Sequence, residues 1–163
     1  MATVKQFEDL GVWQDARALV KDIYATSKQR DFYRDIGLRE QIRRAATSTM
    51  SNIAEGFERG TTNELLAFLY IARGSAGEVR SMMRVLETWN IFGNYRSQIS
   101  NFTTQCEKIS RQLYGWIESL KNSDIPGQRR LDEKAKNRYA NKKDREQFLE
   151  ELRHVSAKPE KDS

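Results

Sequence analysis

The sequence predicts an all-α fold, an antiparallel up-down four-helix bundle followed by a charged C-terminal extension. Apolar residues recur at steps of three and four along four stretches of the chain, and no stretch alternates with the period of two typical of a strand. The first proline is Pro126, so none interrupts a long helix before that point. Four such helices with short connections favour an up-down bundle.

The first two predicted helices each carry one apolar stripe. The first runs from about Asp9 to Ser27 and the second from about Gly37 to Phe57. Side chains three and four residues apart share one face of a helix, so each stripe predicts a side that faces a core. The stripes contain Trp13, Ala16, Leu19, Val20, Ile23 and Tyr24 in the first helix, and Leu38, Ile42, Ala45, Ala46, Thr49, Ile53 and Phe57 in the second.

The third predicted helix has a clear start signal. Thr61 precedes Glu64 by three residues, which is the spacing of a capping box, and the apolar run LLAFLYIA follows. Its stripe continues to Trp89, and Gly93 is expected to end it.

Two glycines, Gly74 and Gly77, interrupt this third helix. Each costs about 1 kcal/mol relative to alanine inside a helix. Close approach of another helix would offset that cost, and we expect such an approach here.

The fourth predicted helix runs from about Tyr95 to Lys121 and contains the single cysteine of the chain, Cys106, within its apolar stripe. A cysteine in that position is expected to be a small core residue rather than a nucleophile. With one cysteine no intrachain disulfide is possible, which fits a reducing compartment.

The composition divides the 163-residue chain into a predicted bundle at residues 1–124 and a predicted tail at residues 125–163. The bundle carries 17 basic and 15 acidic residues, a net charge of +2, and the tail carries 11 basic and 8 acidic residues, a net charge of +3, which together give the total of +5. The tail is expected to be mobile or partly helical, because its apolar residues are sparse.

Several classes of protein are excluded by simple features. No apolar run approaches the length of a transmembrane helix, and the N-terminus lacks the apolar segment of a signal peptide, so a soluble cytoplasmic protein without membrane contact is expected. The only histidine is His154 in the tail, and phosphate loops, CxxC and G-x-S-x-G motifs are absent. The sequence therefore predicts no enzyme and no cofactor.

A polar line accompanies the apolar stripe of the second helix. Gln41, Arg44, Ser48, Asn52 and Glu55 are spaced by 3, 4, 4 and 3 residues, so they share a face. Three interpretations remain open: a hydrogen-bonded network between helices, a ligand or catalytic site, and an exposed face without a role. The expected structural network consists of Gln41, Ser48, Asn52 and Glu55 with Ser75 and Glu78 of the third helix.

A metal site is not expected in this line. Glu55 and Glu78 could form a carboxylate pair, but di-metal bundles use several carboxylates together with Glu-x-x-His pairs. That motif is absent from the sequence.

Arginines are the candidate nucleic-acid contacts. Arginine outnumbers lysine by 12 to 5 in residues 1–124, and the pI of the chain is near 9.4. Its forked side chain binds phosphates and stacks on bases. The alternative is a salt-bridged surface, since Asp31, Asp35 and Glu40 are close in sequence. The candidates are Arg34, Arg39, Arg43, Arg44, Arg73, Arg80, Arg84, Arg129 and Arg130.

Three segments carry a resemblance to a known family. FEDLGVWQDA at 7–16, GLREQIRRAATSTMSNIAEGFERG at 37–60 and FLYIARGSAGEVRSMM at 68–83 resemble the four-helix-bundle family of 23S rRNA intervening-sequence proteins. That family is similar to the accessory variability determinant (Avd) of diversity-generating retroelements. The residues that match the family pattern are Gln41, Arg43, Arg44, Ser48, Asn52, Glu55, Gly56, Ser75 and Glu78. The long charged tail departs from short members of the family.

The resemblance implies a homopentameric barrel without enzymatic activity that binds nucleic acid or a reverse transcriptase. We therefore expect a homo-oligomeric accessory protein that binds RNA or RNA–DNA, with a retroelement reverse transcriptase as a candidate partner. The alternative is a protein–protein scaffold whose charge serves only solubility. An enzyme is the third interpretation, and it requires that the polar line open into a pocket.

Overall fold

The computed structural model describes residues 4–122, except for the side chains of Tyr33, Arg34, Asn90 and Ile91. The α-helices of this part are α1 (Gly11–Thr26), α2 (Arg30–Arg34), α3 (Ile36–Glu58), α4 (Thr62–Thr88) and α5 (Arg96–Lys121), with short 3₁₀ helices at Phe7–Asp9 and Asn90–Tyr95. The predicted all-α bundle is confirmed, with α1, α3, α4 and α5 as its four long helices. The predicted division at residue 124 and the charged tail at 125–163 lie outside the described residues, so both stay predictions.

The four long helices form a closed ring of neighbours. Helix α3 packs against α1 and α4, and α5 packs against α4 and α1. Gln41 contacts Glu78, whereas Ser48, further along α3, contacts Ser75, which lies earlier on α4. Residue numbers rise on one helix as they fall on its neighbour, so α3 and α4 are antiparallel.

Polar side chains connect α1 to α5 in the same antiparallel sense. Asp15 accepts hydrogen bonds from Lys108 Nζ at 2.8 Å and from Gln112 Nε2 at 2.6 Å. Further along α1, Asp22 accepts from Gln105 Nε2 at 3.2 Å. These contacts fix the register of α1 on the surface of α5.

The core is built from one apolar stripe of each long helix, as the spacing predicts. Complete burial of a large aliphatic side chain contributes roughly 1.5–3 kcal/mol. The largest fully buried side chains are Leu19, Ile23, Ile42, Ile53, Leu65, Leu69, Met83, Leu86, Ile99, Ile109, Leu113 and Ile117. Two aromatic residues predicted in the stripes, Tyr24 and Trp89, are instead 41% and 42% exposed, because both stand at the ends of their helices.

Close helix packing occurs at a different glycine from those predicted. A Cβ added to Gly56 would lie 2.8 Å from Phe68 Cβ and 3.2 Å from Leu65 Cδ1, so a larger residue there would push α3 away from α4. Within residues 4–122, a Cβ added to Gly74 or Gly77 would meet no heavy atom within 4 Å apart from its chain neighbours and the nearby backbone of its own helix. The expected close approach at those two glycines is therefore wrong for the described part of the chain, since both lie on sides of α4 that face away from the core.

Side-chain caps determine where α3 and α4 begin. Asp35 Oδ1 accepts from the backbone N–H of Leu38 at 2.8 Å at the start of α3. At the start of α4, Thr61 Oγ1 accepts from the backbone N–H of Glu64 at 3.2 Å and donates to its carboxylate at 2.7 Å. The start signal read from Thr61 and Glu64 is thus confirmed.

The end of α4 differs from the prediction. The helix ends at Thr88, whereas the sequence predicts an end at Gly93. Buried Phe92 packs its ring 4.9 Å from the ring of Phe32, and Tyr95 packs 5.5 Å from Phe32. This aromatic contact with α2 folds the chain into a 3₁₀ turn before Gly93 is reached.

None of the helices between residues 4 and 122 combines the length and apolar character needed to cross a bilayer.

Candidate nucleic-acid interface

Five of the six polar residues predicted as a network lie at the seam between α3 and α4. The hydroxyl oxygens of Ser48 and Ser75 are 2.9 Å apart. Asn52 Nδ2 donates to the backbone oxygen of Ser48 at 2.7 Å and to its hydroxyl at 3.0 Å. Gln41 Nε2 donates to Glu78 Oε1 at 2.9 Å. These side chains hold one another, which is the arrangement of a structural seam between two helices.

The sixth residue, Glu55, stands apart from this seam. Its carboxylate forms an ion pair with Arg59, four residues later in the chain, and the Arg59 guanidinium lies 4.9 Å from the ring centre of Phe68. Glu55 and Glu78 therefore have different partners and do not form a shared carboxylate site. In the part of the chain that the structure describes, no three His, Cys, Asp or Glu side chains are grouped so that they could hold a metal ion.

Two of the candidate arginines on α3 make contacts within the chain. Arg43 Nε donates to Ser27 Oγ at 2.8 Å, and its guanidinium lies 4.8 Å from the ring centre of Tyr24. Arg39 pairs with Glu40 at 3.2 Å. The side chains of Arg39 and Arg43 are only 14% and 17% exposed, so they fasten α3 locally and to the end of α1 rather than facing a partner.

Of the four other candidate arginines considered next, only Arg44 has a side chain that the structure describes. Arg44 is exposed beside Arg43, and between residues 4 and 122 no carboxylate forms an ion pair with it. Arg34 is the last residue of α2, and its side chain is not described. Arg129 and Arg130 lie outside the described residues.

The candidates on α4 line the seam between α4 and α5. The Arg73 guanidinium lies 5.0 Å from the ring centre of Tyr114, and its Nε is 3.4 Å from Ser110 Oγ. Together with Arg111 these residues line a cleft of about 410 Å³. An arginine held against an exposed tyrosine at the edge of a cleft presents both a cation and a flat apolar surface.

Arg80 and Arg84 continue this edge towards the other end of α4. Arg84 pairs with Glu87 at 3.0 Å and approaches Glu107 of α5 at 3.8 Å. Arg80 is exposed and lies close enough to Cys106 for its charge to favour the thiolate. Burial has the larger effect and raises the pKa of the Cys106 thiol to about 12, which keeps the thiol neutral.

The sequence reasoning missed four residues of this seam: Tyr70, Arg111, Tyr114 and Lys121. The two tyrosines are 45% and 51% exposed. Lys121 Nζ lies 5.5 Å from the ring centre of Tyr70 and donates to Glu118 Oε1 at 2.9 Å. Hydrogen bonds to Tyr70 and to Glu118 raise the pKa of Lys121, so the ammonium stays charged.

We call the surface formed by Tyr70, Arg73, Arg111, Tyr114 and Lys121 the α4–α5 face. It joins three cations and two exposed tyrosines, and Glu118 is the carboxylate beside Lys121. A signal for it was present in the sequence, because Tyr70 and Arg73 are three residues apart and so are Arg111 and Tyr114. Each pair falls on one side of its helix, next to the apolar stripe.

Comparison with known proteins places the chain in a family. The family model described as 23S rRNA-intervening sequence protein matches residues 8–115. A solved structure of a protein with unknown function from the S23 ribosomal protein family of Bacteroides thetaiotaomicron is similar, with a TM-score of 0.57 and 20% identity over 66% of this chain and 98% of that chain. A search of curated proteins gave no match. At that identity the solved structure shows a shared fold, and the family match, which spans more than half of the residues, shows that the chain belongs to the family of 23S rRNA-intervening sequence proteins.

Proposed function

We propose that this chain is a non-enzymatic, homo-oligomeric accessory protein that binds RNA through its α4–α5 face. The observation that carries the proposal is a cleft of about 410 Å³ lined by Arg73, Arg111 and the exposed Tyr114, with Lys121 and the exposed Tyr70 in contact further along the same seam. Guanidinium groups form paired hydrogen bonds with phosphate oxygens, and lysine adds a mobile point charge. Membership in a family whose name refers to 23S rRNA is consistent with an RNA-related role.

The binding that we propose is mainly electrostatic. Arg80 and Arg84 extend the basic edge of α4 beyond the cleft, although Glu87 and Glu107 neutralise part of that charge. Assembly into a ring would repeat every cation around the particle and strengthen its positive potential. Binding of this kind is tighter at low salt and weakens as salt is added.

Self-association is supported by a different side of α4. Ile71, Val85 and Trp89 are 50%, 44% and 42% exposed. Ile71 and Val85 are 14 residues apart, which places them on one side of α4, and Trp89 directly follows the last residue of the helix. Gly74 is exposed near Ile71, with open space around a Cβ added to it among the described residues. Exposed large apolar side chains suit packing against another protein, and we propose a second copy of the chain there, within the pentamer that the resemblance implies.

The second candidate is a protein–protein scaffold, and the same apolar residues favour it. In that case Ile71, Val85 and Trp89 would contact a different protein, whereas a retroelement reverse transcriptase is the partner that we propose for the RNA-binding accessory protein. The two functions differ in what they require of the α4–α5 face, because only RNA binding needs its cations.

The test compares two double variants with the same change in charge. Arg73→Gln/Arg111→Gln removes two cations from the α4–α5 face, and Arg17→Gln/Arg96→Gln removes two arginines located elsewhere. Fluorescence anisotropy with a labelled RNA, repeated over a range of salt concentrations, gives the affinity and its salt slope. We expect Arg73→Gln/Arg111→Gln to bind the RNA more weakly. The slope of log affinity against log salt concentration should be smaller in magnitude by about 1 for each phosphate that the variant no longer binds. Equal binding by both variants would remove the α4–α5 face from the proposal.

Mass measurement by light scattering tests the oligomer. We expect wild-type protein to form a particle of several chains and Ile71→Asp/Val85→Asp to give monomers. A monomeric wild-type protein would contradict self-association, and binding of a protein partner without any effect of RNA would favour the scaffold.

A further inference from the structure

We infer that the α4–α5 face binds unpaired nucleotides of single-stranded RNA, with bases stacked on Tyr70 and Tyr114 and phosphates held by Arg73, Arg111 and Lys121. This inference rests on the proposed function and specifies its substrate class. Its starting point is that the two tyrosines are large aromatic residues that remain 45% and 51% exposed. An aromatic ring that is open to solvent can stack on the bases of a nucleic acid.

Each exposed ring has a cation beside it from the opposite helix. The Arg73 guanidinium of α4 lies 5.0 Å from the ring centre of Tyr114 on α5, and Lys121 Nζ of α5 lies 5.5 Å from the ring centre of Tyr70 on α4. Because α4 and α5 are antiparallel, Tyr70 and Lys121 form one level of the seam and Arg73 and Tyr114 form the next. Aromatic rings and cations thus occur together at successive levels along the seam between α4 and α5.

This arrangement suits a single strand. Proteins that bind single-stranded nucleic acid combine a positively charged groove, which follows the backbone, with aromatic side chains on which successive bases stack. The cleft beside Tyr114 measures about 410 Å³ and is lined by Arg73, Ser110 and Arg111. That volume lies within the roughly 300–1,000 Å³ of sites that accept small organic molecules, so a planar base has room next to the ring.

Double-stranded RNA would contact only part of the α4–α5 face. In A-form RNA the faces of the bases are hidden in the stack, and the deep, narrow major groove excludes side chains. A duplex could therefore meet the cations of the α4–α5 face but not the rings of Tyr70 and Tyr114. The tyrosines predict a preference for unpaired RNA that the cations alone do not.

The experiment measures binding of the full chain to two fluorescein-labelled probes, oligo-uridine as the single strand and an RNA duplex of the same length. Tyr70→Leu/Tyr114→Leu removes both rings and keeps the bulk, whereas Tyr70→Phe/Tyr114→Phe keeps the rings and removes the hydroxyl groups. The matched control is Tyr24→Leu, since Tyr24 is 41% exposed and also lies beside an arginine, Arg43, but on α1. Circular dichroism and thermal unfolding check that each variant is folded.

We expect the double leucine variant to bind oligo-uridine at least fivefold more weakly, with an unchanged salt slope and unchanged duplex affinity. The phenylalanine variant and Tyr24→Leu should bind as wild type does. Wild-type binding of oligo-uridine by the leucine variant, or a wild-type preference for the duplex, would overturn the inference. The proposed function would survive either result if Arg73→Gln/Arg111→Gln still weakened RNA binding, and it would fall if that variant bound normally.

A second measurement does not depend on the folding of a variant. Wild-type protein is irradiated with a 5-iodouridine-substituted single strand, and the crosslinked peptides are identified by mass spectrometry. We expect crosslinks at Tyr70 or Tyr114. Crosslinks confined to aromatic residues away from the α4–α5 face would overturn the inference.

Discussion

Substitution of Gly56 by alanine tests the close packing of α3 against α4. The added methyl carbon would lie 2.8 Å from Phe68 Cβ, 3.2 Å from Leu65 Cδ1 and 3.4 Å from the backbone oxygen of Leu65. Optimal separation between carbon atoms is about 3.5–4.0 Å, so the nearest contact is too short by roughly 1 Å. Phe68 Cβ is attached directly to the backbone of α4 and cannot rotate away, which means that the two helices must shift.

Two opposing contributions determine the change in the free energy of unfolding. Overpacking of a well-packed interior costs about 1–3 kcal/mol, while replacement of glycine by alanine in a helix gains up to about 1 kcal/mol. Gly56→Ala should therefore destabilise the protein by about 0–2 kcal/mol. Gly115→Ala provides the comparison, since Gly115 is exposed in α5 and an added Cβ would meet no heavy atom of residues 4–122 within 4 Å apart from its chain neighbours and the nearby backbone of its own helix. That variant should gain up to about 1 kcal/mol.

The difference between the two variants isolates the steric contribution, because the gain in helix propensity is common to both. Urea unfolding followed by circular dichroism gives both free energies, and we expect Gly56→Ala to be less stable than Gly115→Ala by about 1–3 kcal/mol. If Gly56→Ala were as stable as Gly115→Ala, the argument that a close approach requires glycine at this position would be refuted.

The further predictions concern stability and thiol reactivity. Leu69→Ala should destabilise the protein by about 2–5 kcal/mol in urea unfolding, since Leu69 is fully buried. Asp35→Ala removes the cap of α3 and should cost about 0.5–2 kcal/mol, whereas Asp35→Asn should retain most of the stability. Arg43→Ala removes the attachment of α3 to Tyr24 and Ser27 and should cost about 1–3 kcal/mol, with little effect on RNA affinity. Because burial raises the pKa of the Cys106 thiol to about 12 from an ordinary 9.0, native protein should react with Ellman's reagent only after denaturation. The native state retains this proton longer than the unfolded state, so stability should fall as the pH rises from 9.0 towards 12, and this part of the decline should be absent in Cys106→Ala.

The four long helices could be predicted because their apolar stripes have the helical period over 16 to 27 residues. Helix α2 could not, since a helix of five residues is too short for any period to be visible. The end of α4 at Thr88 could not be predicted either, because it depends on the packing of Phe92 against Phe32. That contact joins residues 60 positions apart, and no local signal encodes it.

The polar residues between α3 and α4 show what the spacing of residues within one helix does not predict. The register that pairs Ser48 with Ser75 brings Glu55 level with Phe68, which offers no hydrogen bond, and Arg59 one turn later becomes its partner. Spacing within α3 identified a shared face correctly, but the residue opposite each position depends on the register between two helices. Sequence alone does not give that register.

Two adjacent arginines of α3 show that residue type does not predict which side chain is enclosed and which is exposed. Arg43 and Arg44 are adjacent in sequence and identical in chemistry, yet Arg43 is enclosed by Tyr24 and Ser27 while Arg44 faces solvent. Successive residues differ by about 100° around a helix, so one step decides between a structural and an exposed position. The tyrosines of the α4–α5 face were missed because each has its cation on the other helix.

The polar attachment of α1 to α5 has a consequence for the order in which the protein opens. Helix α1 contributes four buried side chains, whereas α4 contributes eight, and its contacts with α5 through Asp15 and Asp22 are hydrogen bonds and an ion pair at the surface. Surface ion pairs are weak and screened by salt. In native-state hydrogen exchange, the amides of α1 should therefore form the least protected cooperative unit of the bundle. The chain would lose its first helix as a partial unfolding step, while α3, α4 and α5 remain packed together.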